Sequence, residues 1–338
     1  MAKNLALAVT IILFAFSNLA AEKLASLPGL LSPDTMAVDD ERIYVTEGAT
    51  VFIYSLEDYR LIKKFGQRGE GPAEFPTLPG LPLIVRSEED HLLINSANRI
   101  SFFSKDGQFI KMLKSKGGTL FSGIFQPIKD KFVGLGVTAE DETLYNCVNL
   151  HDSQLYKIKI IAKVKRSAQQ AGPIKLFSDN LGFQTYKDRI FLLASQDFVI
   201  DILDMDGNKI NTIKRDYERV PFTDKDKEEI FAAIKANPQQ RQFFEVLKQR
   251  MVFPKYFPAV VNIFVADDLL HVVTWKRDND RFEFFIYDWD GKFIKKMFVG
   301  FRMREALQPF PAAFNNRKVY QLIENENEEW ELHASNLE

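Results

Sequence analysis

Short apolar runs alternate with turn-forming clusters along most of the chain, and the alternation repeats. The clearest turns are Lys105-Asp106-Gly107-Gln108, Met205-Asp206-Gly207-Asn208 and Trp289-Asp290-Gly291-Lys292. Asp-Gly between two β-rich runs marks a hairpin, because glycine accepts the positive φ of a tight turn. Glu57-Asp58-Tyr59 and His151-Asp152-Ser153 are weaker versions. Before the turns stand runs such as Val51-Phe52-Ile53-Tyr54 and Phe284-Phe285-Ile286-Tyr287. After them stand Leu61-Ile62-Lys63-Lys64-Phe65, Phe109-Ile110-Lys111-Met112-Leu113 and Phe293-Ile294-Lys295-Lys296-Met297. Another hairpin precedes each pair, with second strands at Ile43-Tyr44-Val45, Leu92-Leu93-Ile94, Phe132-Val133-Gly134, Ile190-Phe191-Leu192-Leu193 and Leu270-His271-Val272-Val273. The pattern predicts four strands per unit and five complete units.

A sixth unit is truncated. Ala312–Asn315, Val319–Ile323 and Trp330–His333 supply three strands, and none follows. Glu22-Lys23-Leu24-Ala25-Ser26-Leu27 is a spare strand at the other end. Each four-stranded sheet must cover its neighbour's apolar face, so the units close into a ring. The expectation is an all-β, six-bladed β-propeller of four-stranded antiparallel blades over residues 22–338, with the N-terminal strand completing the last blade.

Phe65-Gly66-Gln67-Arg68-Gly69-Glu70-Gly71-Pro72-Ala73-Glu74-Phe75, followed by Pro76, resembles the glycine-rich junction of NHL-type propellers. The blade pattern after it is similar to that of bacterial secreted six-bladed relatives. The resemblance covers roughly residues 22–338 and implies architecture more than activity, since such propellers include binding modules, scaffolds and enzymes. The junction is well formed only once here.

Between the fourth and fifth units the β pattern gives way to an insert, about residues 216–258. Thr223 or Asp224 can cap a helix whose first turn is acidic, and Ile230, Ile234 and Phe231 give it an apolar face. Asn237-Pro238 ends it. A second helix is expected over Gln239–Met251, with Phe243, Val246, Leu247 and Arg250 at helical spacing.

The N-terminus carries Lys3, an apolar run Leu5–Phe16 and small residues at Ala20-Ala21. The run is short for a membrane span. It predicts a cleaved signal peptide over residues 1–21 and an exported, periplasmic or secreted protein with no membrane span after cleavage. Cys147 is the only cysteine, so no disulfide can form within one chain. It stands in an apolar stretch, which suits a small buried side chain. A net charge of −2 offers no global field for nucleic acid, and none is expected as a partner. Thirty phenylalanines suit sheets packed face to face through aromatic rings.

Topology sorts the loops. The Asp-Gly turns share one face of the disc. The insert, the glycine-rich junction and the long links 162–180 and 299–309 share the other. Loops on a rigid scaffold carry function, so the decorated face around the axial mouth is the expected site. Its basic residues Arg68, Arg219, Arg241 and Arg250 are the candidates for holding a protein, peptide or anionic cell-envelope polymer, bound by a monomer. No catalytic residue, metal ligand or cofactor is assigned. The sequence has no Walker A loop, nucleophile elbow or zinc-protease helix, and Pro72 and Pro76 rule out a helix after the glycine-rich segment. Asp204–Asn208 and Asp288–Gly291 read as hairpin turns rather than calcium loops, lacking the spacing and final Glu. An alternative is a metal-dependent lyase or hydrolase, with His91 and His271 meeting a divalent ion at the axis. Trp275, Trp289 and Trp330 are expected in the core.

Overall fold

The computed structural model describes residues 21–76, 81–116, 121–166, 172–178, 181–237, 240–305 and 307–338. The signal peptide call, Ala21 apart, lies outside the described residues, as do Pro238 and Gln239 of the insert. No described helix is long and apolar enough to cross a membrane.

Six four-stranded antiparallel sheets form the blades. Blade 1 comprises Thr35–Val38, Arg42–Glu47, Thr50–Ser55 and Leu61–Phe65, from the axis outward. Blade 2 comprises Ile84–Ser87, His91–Ser96, Arg99–Ser104 and Phe109–Lys114. Blade 3 comprises Phe121–Ile128, Lys131–Glu140, Thr143–His151 and Lys157–Lys165. Blade 4 comprises Gly182–Tyr186, Arg189–Leu193, Val199–Asp204 and Lys209–Lys214. Blade 5 comprises Val260–Ala266, Leu269–Asp278, Arg281–Asp288 and Phe293–Gly300. Blade 6 comprises Ala312–Asn315, Lys318–Glu324 and Trp330–Asn336, and its outer strand is Glu22–Ser26. The ring closes as the truncated last unit requires.

The core lies between blades. Ile43, Val45, Phe52 and Tyr54 of blade 1 pack with Leu322, Trp330 and Leu332 of blade 6 in one cluster. Residues on the opposite face of blade 1, Tyr44, Val51 and Ile53, pack with Leu92, Ile94 and Phe103 of blade 2 in another. Period-two alternation thus sends successive side chains to two different neighbours.

A buried polar side chain stitches each interface by meeting backbone groups or a hydroxyl across it. Thr46 Oγ1 donates to the Leu83 carbonyl at 2.9 Å between blades 1 and 2. Asn95 of blade 2 donates to the Phe125 carbonyl at 3.0 Å and accepts from its N–H at 2.7 Å. Gln126 of blade 3 accepts from the Thr185 N–H of blade 4 at 2.8 Å. Glu283 of blade 5, 1% exposed, accepts from Tyr217 of the preceding link at 3.1 Å and from Thr274 at 2.9 Å. Gln321 of blade 6 accepts from the Arg302 N–H at 2.7 Å and donates to its carbonyl at 3.0 Å. Trp330 Nε1 donates to the Leu31 carbonyl at 3.1 Å, joining blade 6 to the entry of blade 1.

The Asp-Gly turns dock on the preceding blade. Gly207 has φ +74°, and a Cβ there would lie 2.4 Å from Ile161 Cγ2 of blade 3, so both backbone shape and space demand glycine. The residue opening each turn caps it. Ser55, Ser104, Asp152, Asp204 and Asp288 all accept backbone N–H groups of the turn. The turn aspartates reach back to the previous blade, Asp106 to Arg42 at 2.7 Å and Asp206 to Lys131. In each pair the aspartate is exposed and the cation largely covered, so the pair fixes register more than it stabilises.

Helix α1 (Asp224–Ala236) begins with a capping box between Thr223 and Asp226, and it buries Ile230 and Ile234. The second helix is shorter than its spacing predicts. A 3₁₀ turn at Arg241–Phe243 precedes α2 (Phe244–Arg250). Its inward face is rotated from the expected one: Phe244 and Leu247 pack inward, whereas Phe243 and Val246 are exposed. Phe244 rather than Phe243 meets the aromatic cluster, edge-on to Phe231 at 5.7 Å. Trp275 and Trp330 are core, but Trp289 stands in a turn, only partly buried, with Lys187 and Arg189 over its ring. Cys147 is buried, and burial pushes its thiol up.

The ring closure carries a titratable latch. Glu331 accepts from Lys23 of the closing strand at 2.7 Å, from Asn325 at 2.9 Å and from His333 at 3.0 Å. Those bonds, Lys23 first, hold its carboxyl down at about 2, against an ordinary value of 4.5. A depressed carboxyl stabilises the fold above its unfolded pKa, and the contribution fades as pH falls through the folded value. Glu331→Gln should therefore flatten the pH dependence of thermal unfolding between about pH 4.5 and 2. Parallel unfolding curves for the two proteins across that window would rule the latch out.

Candidate functional site

The decorated face holds an apolar groove of about 350 Å³ between the insert and the links, floored by Leu176, Val252, Phe253 and Pro254. Lys175, Arg219 and Lys255 also line it, and no carboxylate does among the described residues. Arg219 and Lys255 bracket the Tyr256 ring at 5.6 and 5.3 Å from its centroid. Two short parallel pairings, Ile174 with Met251 and Lys175 with Val252, join the insert's end to the link after blade 3.

An aromatic stack supports the groove. Phe257 stacks on Trp275 of blade 5 at 4.3 Å and meets Phe222 at 4.8 Å. Phe222 in turn stacks on Phe253 of the groove floor at 5.6 Å. Ile230, Ile234 and Phe244 of the helices join the same cluster. The insert is thereby fixed to blade 5, and the floor is rigid.

The four candidate arginines do not gather at one site. Arg219 alone lines the groove. Arg250 donates to the Gly172 carbonyl from Nε at 3.1 Å and Nη2 at 3.0 Å, clamping the insert's end to the chain before the Ile174 pairing. Arg241 is exposed at the 3₁₀ turn. Arg68 is exposed in the junction after blade 1, where Gln67 and Arg68 pair in parallel with Glu74 and Phe75.

The junction has a role that its glycines did not announce. It forms an acceptor cup around Arg99, which opens the third strand of blade 2 and is only 2% exposed. Arg99 donates to the Glu74 carbonyl at 2.6 Å and the Gly69 carbonyl at 3.3 Å, and to Ser96 Oγ at 3.1 Å. Glu70 Oε2 lies 3.4 Å away. Burial lowers the guanidinium's pKa, opposed by the charges of Glu70 and Glu74. The junction is thus a structural socket, and no local feature of the sequence around Arg99 signals it.

The opposite mouth is larger. A cavity of about 590 Å³ opens on the turn face, lined by Asp39, Asp40, Glu41, Glu88, Glu89 and Asp267, with Tyr44, Tyr186 and Phe314. It stands above an axial channel of about 310 Å³ lined by first-strand residues such as Met36, Val85, Gln184 and Ala313. The six turns between first and second strands carry ten carboxylates and three cations. That imbalance gives this mouth a negative field suited to cations. Its signal in the sequence is the separated runs Asp39-Asp40-Glu41, Glu88-Glu89-Asp90 and Asp267-Asp268, which no sequence spacing places together. Lys105 enters it and donates to Asp39 at 2.8 Å. Burial pushes the Asp39 carboxyl up, yet its bonds from Lys105 and Ser87 prevail and hold it below the usual range.

The histidines stand on second and third strands, not on the first strands that line the axis. His271 packs on Phe314 at 5.2 Å, and burial pushes it down to about 4, so it is neutral at physiological pH. His91 packs on Phe102 and His151 on Phe125. Among the described residues, no group of three or more His, Cys, Asp and Glu could hold a metal ion.

No family model and no curated protein matches the chain. Solved structures do. The chain is similar to a provisionally named exported protein of Bacteroides fragilis, with 10% identity, a TM-score of 0.53, and coverage of 94% of this chain and 93% of that one. A member of the duf4221 family from Bacteroides vulgatus aligns over 94% and 98% at 12% identity, with a TM-score of 0.48. At such identities the likeness concerns the fold.

The socket generates a prediction. Arg99→Met should destabilise the protein by about 3 kcal/mol, since it strands buried acceptors and opens the junction. Arg68→Met, in the same junction but exposed and outside the acceptor cup, should change stability by less than about 0.5 kcal/mol. Denaturant unfolding of the two variants checks the contrast.

Proposed function

We propose that the chain is an exported binding propeller, related in architecture to the NHL-like secreted group, which holds an acidic peptide segment of a partner in the groove beside the helical insert. One observation carries the reading: a rigid apolar floor ringed by Lys175, Arg219 and Lys255, with no lining carboxylate among the described residues. Apolar side chains of the segment would occupy the floor, and its carboxylates would meet the cations. Desolvated aromatic and arginine side chains are the usual anchors of such interfaces. The segment Leu5–Phe16 supports export, as does the fold shared with the exported protein of Bacteroides fragilis.

The test is fluorescence anisotropy against a panel of labelled peptides pairing acidic residues with Leu or Phe. Arg219→Ala with Lys255→Ala should weaken the best peptide about tenfold or more. The melting temperature should stay within a degree or two, because both side chains are at the surface. Equal affinity of the wild type and the double variant would dismiss the groove.

A further inference from the structure

The rim of the disc shows a separation of charge that net charge conceals. The outer strands of blades 1 to 5 carry twelve lysines and no Asp or Glu. Each of these strands also exposes an isoleucine at the same place: Ile62, Ile110, Ile158, Ile210 and Ile294, at 54, 54, 50, 50 and 49%. Each is skipped by the pairing register with the third strand, so each is a β-bulge. Bulges and lysines both protect sheet edges from pairing with other chains. One charge of either sign per strand serves that purpose, so a dozen charges of a single sign ask for a further account.

The outer strand of blade 3 carries four of them, twice as many as any other, and between blades 2 and 3 the rim is continuous. The chain leaving blade 2 adds to the edge of blade 3: the Lys116 N–H donates to the Leu155 carbonyl at 3.1 Å, and the Lys157 N–H to the Lys116 carbonyl at 3.3 Å. Lys116 Nζ lies 4.8 Å from the centroid of the exposed Tyr156 ring. Lys111, Lys114, Lys116, Lys159 and Lys165 are exposed along this arc. Among the described residues, Glu140 pairs with Lys163 at 2.5 Å, Asp204 feels the charge of Lys159, and Asp152 approaches the arc to accept from the Tyr156 N–H at 2.9 Å. On blades 4 and 5, by contrast, Lys209 pairs with Asp201 at 2.9 Å and Lys296 with Glu283 at 3.4 Å.

We propose that the arc over blades 2 and 3 binds a flexible linear polyanion, such as an acidic polysaccharide, laid along the rim. Charge complementarity selects an anion. Shape selects a flexible chain: neighbouring outer strands face different directions around the ring, so a polymer can follow the arc, whereas a flat bilayer meets about one blade at a time. The exposed Ile110, Tyr156 and Ile158 would pack against the apolar faces of its units. This surface is separate from the groove beside the insert and does not depend on it.

Heparin serves as the test polymer, with affinity measured against salt concentration. The variant Lys111→Glu/Lys114→Glu/Lys159→Glu/Lys165→Glu should bind about tenfold or more weakly at 0.15 M salt and lose part of the salt dependence, because fewer counterions are released. Lys209→Glu/Lys296→Glu should bind nearly as the wild type does, as should Arg219→Ala/Lys255→Ala. Circular dichroism and thermal unfolding confirm that each variant is folded. Three results would overturn the proposal: heparin binding that the four-site variant leaves unchanged, no heparin binding by the wild type, or tighter binding to phosphatidylglycerol vesicles than to heparin, which would replace the polymer with a membrane surface.

Discussion

A blade of this protein is apolar on both faces and can hide neither alone. Every blade therefore depends on its neighbours, and the fold exists only when the ring is complete. Apolar packing supplies the driving force, but it is not directional, and blades could slide against one another at little cost. The buried polar stitches remove that freedom. Asn95 meets both backbone groups of Phe125, and Gln321 meets both of Arg302. Slippage by one residue would leave these amides and backbone groups buried without partners, which costs more than the hydrogen bonds themselves contribute.

The fold was legible because its rules are local and repeated. Asp-Gly turns, alternating strands and a missing last strand each state one constraint, and together they leave one closed ring. The insert was less legible. Thr223 and Asp226 announce their helix by capping chemistry, which acts over four residues. The helix after it turns on whether Phe243 or Phe244 faces the cluster, and that depends on the aromatic stack beneath it, whose members are distant in sequence.

The candidate site was legible only in part, for a related reason. Arg68, Arg219, Arg241 and Arg250 look alike as letters, but of the four only Arg219 lines the groove beside the insert. Arg250 spends its guanidinium on the Gly172 carbonyl. Nothing near Arg99 in the sequence says that a loop from the previous blade closes around it. The acidic mouth was present in the sequence as short runs in separate turns. Its significance appears only when the ring sets those turns side by side.

The closing strand has a mechanical consequence. Glu22 pairs with Ala334 and Ser26 with Glu331, so the start of the closing strand and the end of its partner lie side by side at one end of an antiparallel pair. Tension applied between those ends would not load all the hydrogen bonds at once. It would open them one after another, as a zip opens. A pull along that direction would release the outer strand of blade 6 before it disturbed any other blade.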